Sequence, residues 1–205
     1  MYEIYYFTAE AQRAVRYVRP FQGQYHIKEW RMARVKLLEK DEADPMVGQM
    51  FQKIEDSGNE VINLMKALAH SPKICRDWNR MGVTILMKGD LSHKLRELAI
   101  LRVGDLAKSN YEWTKHVPIG LMAGASQEQV DALSNWIDAS CFDEQEKAVL
   151  QYTDEVALNI RASDETFDRI AEFLSQKEIV ELTTTIGFYG MVSRTLEALQ
   201  IELEE

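Results

Sequence analysis

The chain has 205 residues, 46% of them apolar, and carries 33 Asp and Glu against 24 Lys and Arg, a formal charge of −9. That acidity argues against nucleic acid or an anionic membrane surface as a main partner, because either demands a basic patch. No apolar run approaches the roughly 18 residues of a membrane span, and Cys75 and Cys141, far apart and outside any CxxC, indicate neither a disulfide framework nor a cysteine-rich zinc site. A reducing, cytoplasmic setting fits this cysteine usage.

Residues 1–31 differ in composition from the rest: they hold 8 of the 19 aromatic residues and five Arg or Lys against three Glu, a local charge of +2. Arg13, Arg16 and Arg19 suggest a transit peptide, but Glu3, Glu10, Glu29 and the scarcity of Ser and Thr oppose that reading. The expected organisation is a non-core extension over 1–31 and one helical domain over 32–205.

From Asp44 the helix signals are regular. Asp44-Pro45 supplies an N-cap and a first-turn proline for a helix with Val47, Met50, Phe51 and Ile54 inward, ended by Ser57-Gly58. A second helix is predicted from about Asn59, and Ser71-Pro72 opens a third through Trp78, Val83, Ile85 and Leu86 to Gly89. Two helices follow over Leu91 to Ala125, meeting near Ser109-Asn110. The first is apolar around most of its circumference, the mark of a buried helix, so Glu97 is expected to be desolvated. Gly104, on the same face, lets a neighbouring helix approach. Capping boxes at Ser126/Gln129 and Asp143/Glu146 start two more helices, Ser163 caps another, and the last runs from about Gln176 to Ile201. No segment alternates as a strand, so the expected fold is all-α, a compact multi-helix bundle.

At about 100° per residue, Ser109, Glu112, Trp113, His116 and Gly120 share one sector of their helix. Glu112 and His116 stand at i and i+4, a spacing that permits a hydrogen bond fixing the imidazole tautomer, as in an orienting carboxylate and a general base. The same pair on an exposed surface would contribute only about 0.2–0.5 kcal/mol and do no chemistry. His93/Glu97 and Glu112/His116 together offer four ligands for a divalent metal. Di-metal bundles, however, typically use Glu-x-x-His with further carboxylates, and no metal is assigned. Cys141 precedes a helix N-terminus, where the dipole favours a thiolate, yet Asp143, Glu144 and Glu146 oppose it. Arg194 could clamp a substrate carboxylate, or pair with Glu197 one turn on.

The stretch ELAILRVGDLAKSNYEWTKHVPIGLMAGASQEQVDAL resembles the core of the carboxymuconolactone decarboxylase and alkylhydroperoxidase-D-like superfamily, in a subgroup carrying Y-E-W-x-x-H; the likeness extends over roughly Met32 to Glu205. The peroxidase branch has the pattern Glu-x11-Cys-x2-Cys-x3-His, and here the same positions read Glu97, Ser109, Glu112 and His116. A dithiol peroxidase needs one thiolate to attack the peroxide and a second thiol to resolve the sulfenic acid, and Ser109 and Glu112 do neither. The resemblance implies an all-α fold, homo-oligomers that are trimers or multiples of trimers, and a pocket holding Glu97 and His116.

The function expected from the sequence is cofactor-free acid/base catalysis, a decarboxylase-like lyase or isomerase acting on a small organic acid or lactone. His116 moves the proton, Glu112 orients it, and buried Glu97 serves as a second acid, with Ser109, Tyr111, Trp113 and Arg194 binding substrate. The alternatives are a thiol peroxidase, disfavoured by the missing cysteines, and a non-catalytic helical oligomer binding a small molecule or protein. A dimer remains an open assembly.

Overall fold

The computed structural model describes residues 33–204; the expected 1–31 extension and its boundary lie outside them. Among the described residues every regular element is helical, as the capping signals and absent alternation require. Two units divide the chain, one of residues 33–88 with 195–204, the other of residues 89–194.

In the first unit, α1 spans Pro45–Asp56, with Asp44 accepting a hydrogen bond from the Met46 amide and Val47, Phe51 and Ile54 buried. Gly48 is obligatory there, since a Cβ would lie 2.6 Å from the Lys40 carbonyl oxygen. α2 is shorter than expected, Asn63–Leu68. Val61 and Ile62 are buried as the pattern requires, but Ile62 is extended and serves as the N-cap, so the chain delivers these side chains without being helical. α3 spans Pro72–Met87, packs on α1 and α2, and buries Cys75, Trp78, Val83 and Leu86. The C-terminal segment is tied to this unit by the Arg34 amide on the Leu199 carbonyl, 2.8 Å, and by the Asn63 amide on Glu204, 2.6 Å.

The second unit is built around α4, His93–Ala107, in which every residue from Arg96 to Asp105 is buried. α5 (Asn110–Met122) and α7 (Glu144–Asn159) both pack on it. Between them lie α6, Gln127–Ala132, and a 3₁₀ turn, Leu133–Asp138. Both predicted capping boxes form, Ser126 with Gln129 and Asp143 with Glu146. α8 spans Asp164–Ala171 with Ser163 accepting from the Thr166 amide. α9, Gln176–Leu199, ends two residues before the predicted Ile201, where Gln200 turns to φ 52°.

The apolar core of this unit gathers Leu98 and Leu101 from α4, Trp113 and Val117 from α5, and Leu133, Trp136 and Leu150 beyond them. A helix buried on all sides must also neutralise its charges. Arg102 does so with a two-pronged contact to Asp154, at 2.6 and 2.9 Å, and a 2.7 Å bond to Asp105. Trp136 Nε1 donates to the same Asp154.

Candidate functional site

The site lies where α4 and α5 face each other. Lys108 ends α4 in the left-handed conformation, φ 56°, and the Ser109 amide donates to the Gly104 carbonyl, so the chain reverses within a few residues. Two glycines then let the helices close. A Cβ on Gly104 would stand 3.3 Å from Glu112 Cβ, and one on Gly120 would stand 3.1 Å from Leu101 Cδ1 and 3.7 Å from Glu97 Cβ. The polar side chains of the interface lie beside an apolar contact of Leu98 and Leu101 with Trp113 and Val117.

His116 is the centre of the cluster. Its Nδ1–H donates to Glu97 Oε2 at 2.9 Å, and its Nε2 faces Glu112 Oε2 at 3.7 Å, beyond hydrogen-bond length. Glu97 is 0% exposed, and its other oxygen, Oε1, accepts from Arg96 Nε and Nη2 at 3.2 and 3.1 Å. The Tyr189 ring from α9 meets the imidazole edge-on with centroids 4.8 Å apart. With Glu97 accepting from Nδ1, the neutral imidazole carries its proton there and turns the Nε2 lone pair towards Glu112.

The hydrogen bond to the imidazole expected from Glu112 is made by Glu97 instead. Glu97, nineteen positions from the histidine, holds the imidazole, whereas Glu112, one turn away on the same helix, does not hydrogen-bond to it. An i,i+4 pair on one helix is close in projection, but the facing α4 supplies the shorter approach. Burial pushes the Glu112 carboxyl up to about 7; the nearby His116 opposes this and the Glu97 charge adds to it. For His116 burial is the largest influence and acts downward, but the hydrogen bond it donates to Glu97 and the charges of Glu97 and Glu112 outweigh it, so its pKa is raised. Two buried ionisable groups, both with raised pKa, thus face each other.

The remaining predicted residues separate. Ser109 is wholly buried as the N-cap of α5, yet its side chain makes no capping bond, and its Oγ, like Glu112 Oε2, has no hydrogen-bond partner. Tyr111 is buried with the Lys115 ammonium 5.7 Å from its ring centroid. Trp113 belongs to the apolar core with Leu98, Leu101 and Val117. Arg194 is exposed and turns back on its own helix, donating to the Gly190 carbonyl at 2.8 Å rather than pairing with Glu197. Its guanidinium is within reach of the carbonyl one turn back, and a long side chain on an exposed face takes that local partner.

His93 is exposed while Glu97 is buried, and among the described residues no group of three or more His, Cys, Asp and Glu side chains is placed to hold a metal ion. Cys75 is buried with its thiol pushed up to about 12 by burial, and Cys141 is half-buried outside the cluster. Arg96 and Tyr189 were not among the predicted site residues. Arg96 adjoins Glu97 in sequence, a spacing that gives no facing signal on a helix, and Tyr189 reads as one more apolar position of a long stripe.

Residues 72–155, which include the whole Glu97–His116 segment, match the Carboxymuconolactone decarboxylase family. No curated protein gives a significant match. Among solved structures, an uncharacterized peroxidase-related protein from Ralstonia eutropha JMP134, described as an alkylhydroperoxidase AhpD core, superposes with a TM-score of 0.75 at 17% identity, over 86% of this chain and 94% of that one. A putative antioxidant defence protein AhpD from Agrobacterium tumefaciens gives 0.63 at 22% identity, over 67% and 95%. The debrominase Bmp8 gives 0.66 at 17% identity, over 78% and 87%. At these identities the structural likenesses establish the shared all-α fold.

Proposed function

We propose, with the premise that this chain carries a domain of the carboxymuconolactone decarboxylase and alkylhydroperoxidase-D-like superfamily, that the α4–α5 site performs cofactor-free proton transfer on a small organic acid or lactone. The reaction would be a decarboxylation or an isomerisation. One observation carries the reading: His116 is held through Nδ1 by Glu97 while its Nε2 faces a second buried carboxyl, Glu112, whose pKa lies at about 7. A carboxyl in that range is able to lend and recover a proton at neutral pH. In a decarboxylation, loss of CO2 leaves an enolate, and Glu112 or protonated His116 would return the proton to carbon. Glu97, anchored by Arg96, would act as the positioning residue, and Ser109 Oγ supplies an unused donor beside the same helix turn.

Thiol peroxidase chemistry is disfavoured because serine and glutamate occupy the two positions where that branch's pattern has cysteines. The test is a screen of carboxylated lactones and related acids with His116→Gln as control. The proposal expects kcat to fall by roughly 10²–10⁴-fold in the variant. A second reading, a non-catalytic helical oligomer binding a small molecule or protein, draws on the burial of the cluster: none of its residues lines the cavity of about 440 Å³ elsewhere in the chain. Turnover unchanged by His116→Gln, with ligand binding or assembly altered, would select it.

A further inference from the structure

That cavity has its own chemistry. It lies within the first unit between α1 and α3, and its volume of about 440 Å³ falls in the range of roughly 300–1,000 Å³ typical of small-molecule sites. Lys53, Arg76, Arg80 and Lys88 line it, and among the described lining residues there is no Asp or Glu. Four cations around one cavity run against a chain whose charge is −9. Arg76 is engaged by exposed Asp77 through bonds of 2.8 and 2.9 Å, and the same carboxylate feels the charge of Arg80; of the lining cations, Lys53 and Arg80 are the two the proposal uses.

The floor is apolar: Val47 and Val83 are buried, and Met46 and Met50 flank them with flexible thioethers that adapt to a hydrocarbon body. Asn79 lines the same cavity. It is 7% exposed and its Oδ1 has no hydrogen-bond partner. An unsatisfied buried carboxamide costs about 1–3 kcal/mol, and it is retained here on a helix whose other buried side chains are largely apolar.

We propose that the α1–α3 cavity is a binding site for a small amphiphilic anion, a carboxylate or phosphate monoester carried on an apolar body. The anionic head lies against Lys53 and Arg80, the apolar body covers Val47 and Val83, and Asn79 Oδ1 accepts a hydrogen bond from any donor group that body carries. This site is separate from the α4–α5 cluster and does not depend on that cluster being catalytic.

Isothermal titration calorimetry of the full chain with octanoate, octyl phosphate and neutral octanamide tests it, and the two acids distinguish the carboxylate from the phosphate head. Saturable one-to-one binding of at least one acid is expected, weakening with added salt. Lys53→Gln with Arg80→Gln should weaken it at least tenfold. Both charged residues are exposed, so the double variant should keep its fold, checked by far-UV circular dichroism. Absence of saturable binding by both acids, octanamide binding as tightly as the tighter-binding acid, or affinity unchanged in the folded double variant each overturns the proposal.

Discussion

Replacing Glu112 by Gln keeps the shape of a protonated carboxyl and removes its ability to ionise. In the folded protein burial holds this group at about 7, against 4.5 for an ordinary glutamate. A carboxyl with a raised folded pKa binds its proton more tightly in the folded state. Its stabilising contribution is complete below about pH 4.5 and is lost as pH rises through about 7. At about 1.4 kcal/mol per tenfold change in acidity, the loss amounts to about 3 kcal/mol by pH 8.5. The raised pKa of His116 acts in the same direction, its contribution present below 6.5 and lost above its folded value. Urea melts of the unmodified protein should therefore show stability declining from pH 5 to pH 8.5. Glu112→Gln should match it at pH 5 and exceed it at pH 8.5 by about 3 kcal/mol, or roughly 6–12 °C in Tm for a chain of this size. A variant destabilised equally at both pH values, or an unmodified protein with a flat profile, would refute the argument that Glu112 is held neutral.

Hydroperoxide reduction supported by thiols should stay at background, and Cys75→Ser with Cys141→Ser should change nothing; activity that disappears in Cys141→Ser would make that residue the nucleophile. Gly120→Ala should destabilise by about 1 kcal/mol, overpacking against Leu101 outweighing the gain in helix propensity, whereas Gly187→Ala should stabilise by up to about 1 kcal/mol, because its Cβ position is open; chemical denaturation reads both, and equal signs would contradict the packing account. Light scattering at micromolar concentration should find a homo-oligomer, a trimer or a multiple of it, because Ile137, Leu158 and Ile160 are 68%, 62% and 81% exposed. Leu158→Lys with Ile160→Lys should reduce its size, and a stable monomer of the unmodified protein would defeat the expectation.

What the sequence discloses depends on how local the physics is. Capping boxes act over three residues and proline signals over one, so α1, α3, α6, α7 and α8 begin where those residues place them. The all-round apolar pattern of α4 correctly marks a central helix and a desolvated Glu97. The glycines of α9 illustrate the opposite case. Gly187 and Gly190 are small enough for close contact with another helix, but among the described residues of this chain a Cβ on the first meets nothing within 4 Å, and one on the second meets only the flexible end of Arg194. A small residue permits contact; only a facing element makes it. Gly104 and Gly120 have that element, because the α4–α5 reversal brings each helix against the other.

That Glu97 rather than Glu112 makes the hydrogen bond to His116 follows from the same distinction. Spacing along α5 fixes that Glu112 and His116 share a face, but it says nothing of what approaches that face from outside. Gly120, one turn past His116, lets α5 lie so close to α4 that a Cβ there would stand 3.7 Å from Glu97 Cβ, and the carboxylate of α4 reaches Nδ1 while the i,i+4 neighbour stays beyond hydrogen-bond length of Nε2. Arg96 then fixes Glu97 through the opposite oxygen, which makes it the better-satisfied and less adaptable of the two acids. Glu112 is left with a buried oxygen lacking any hydrogen bond, the condition that keeps its proton near neutral pH. The residue that sequence spacing makes an orienting group is, by the packing of two helices through one glycine, left as the carboxyl whose proton is held up to about pH 7 by burial.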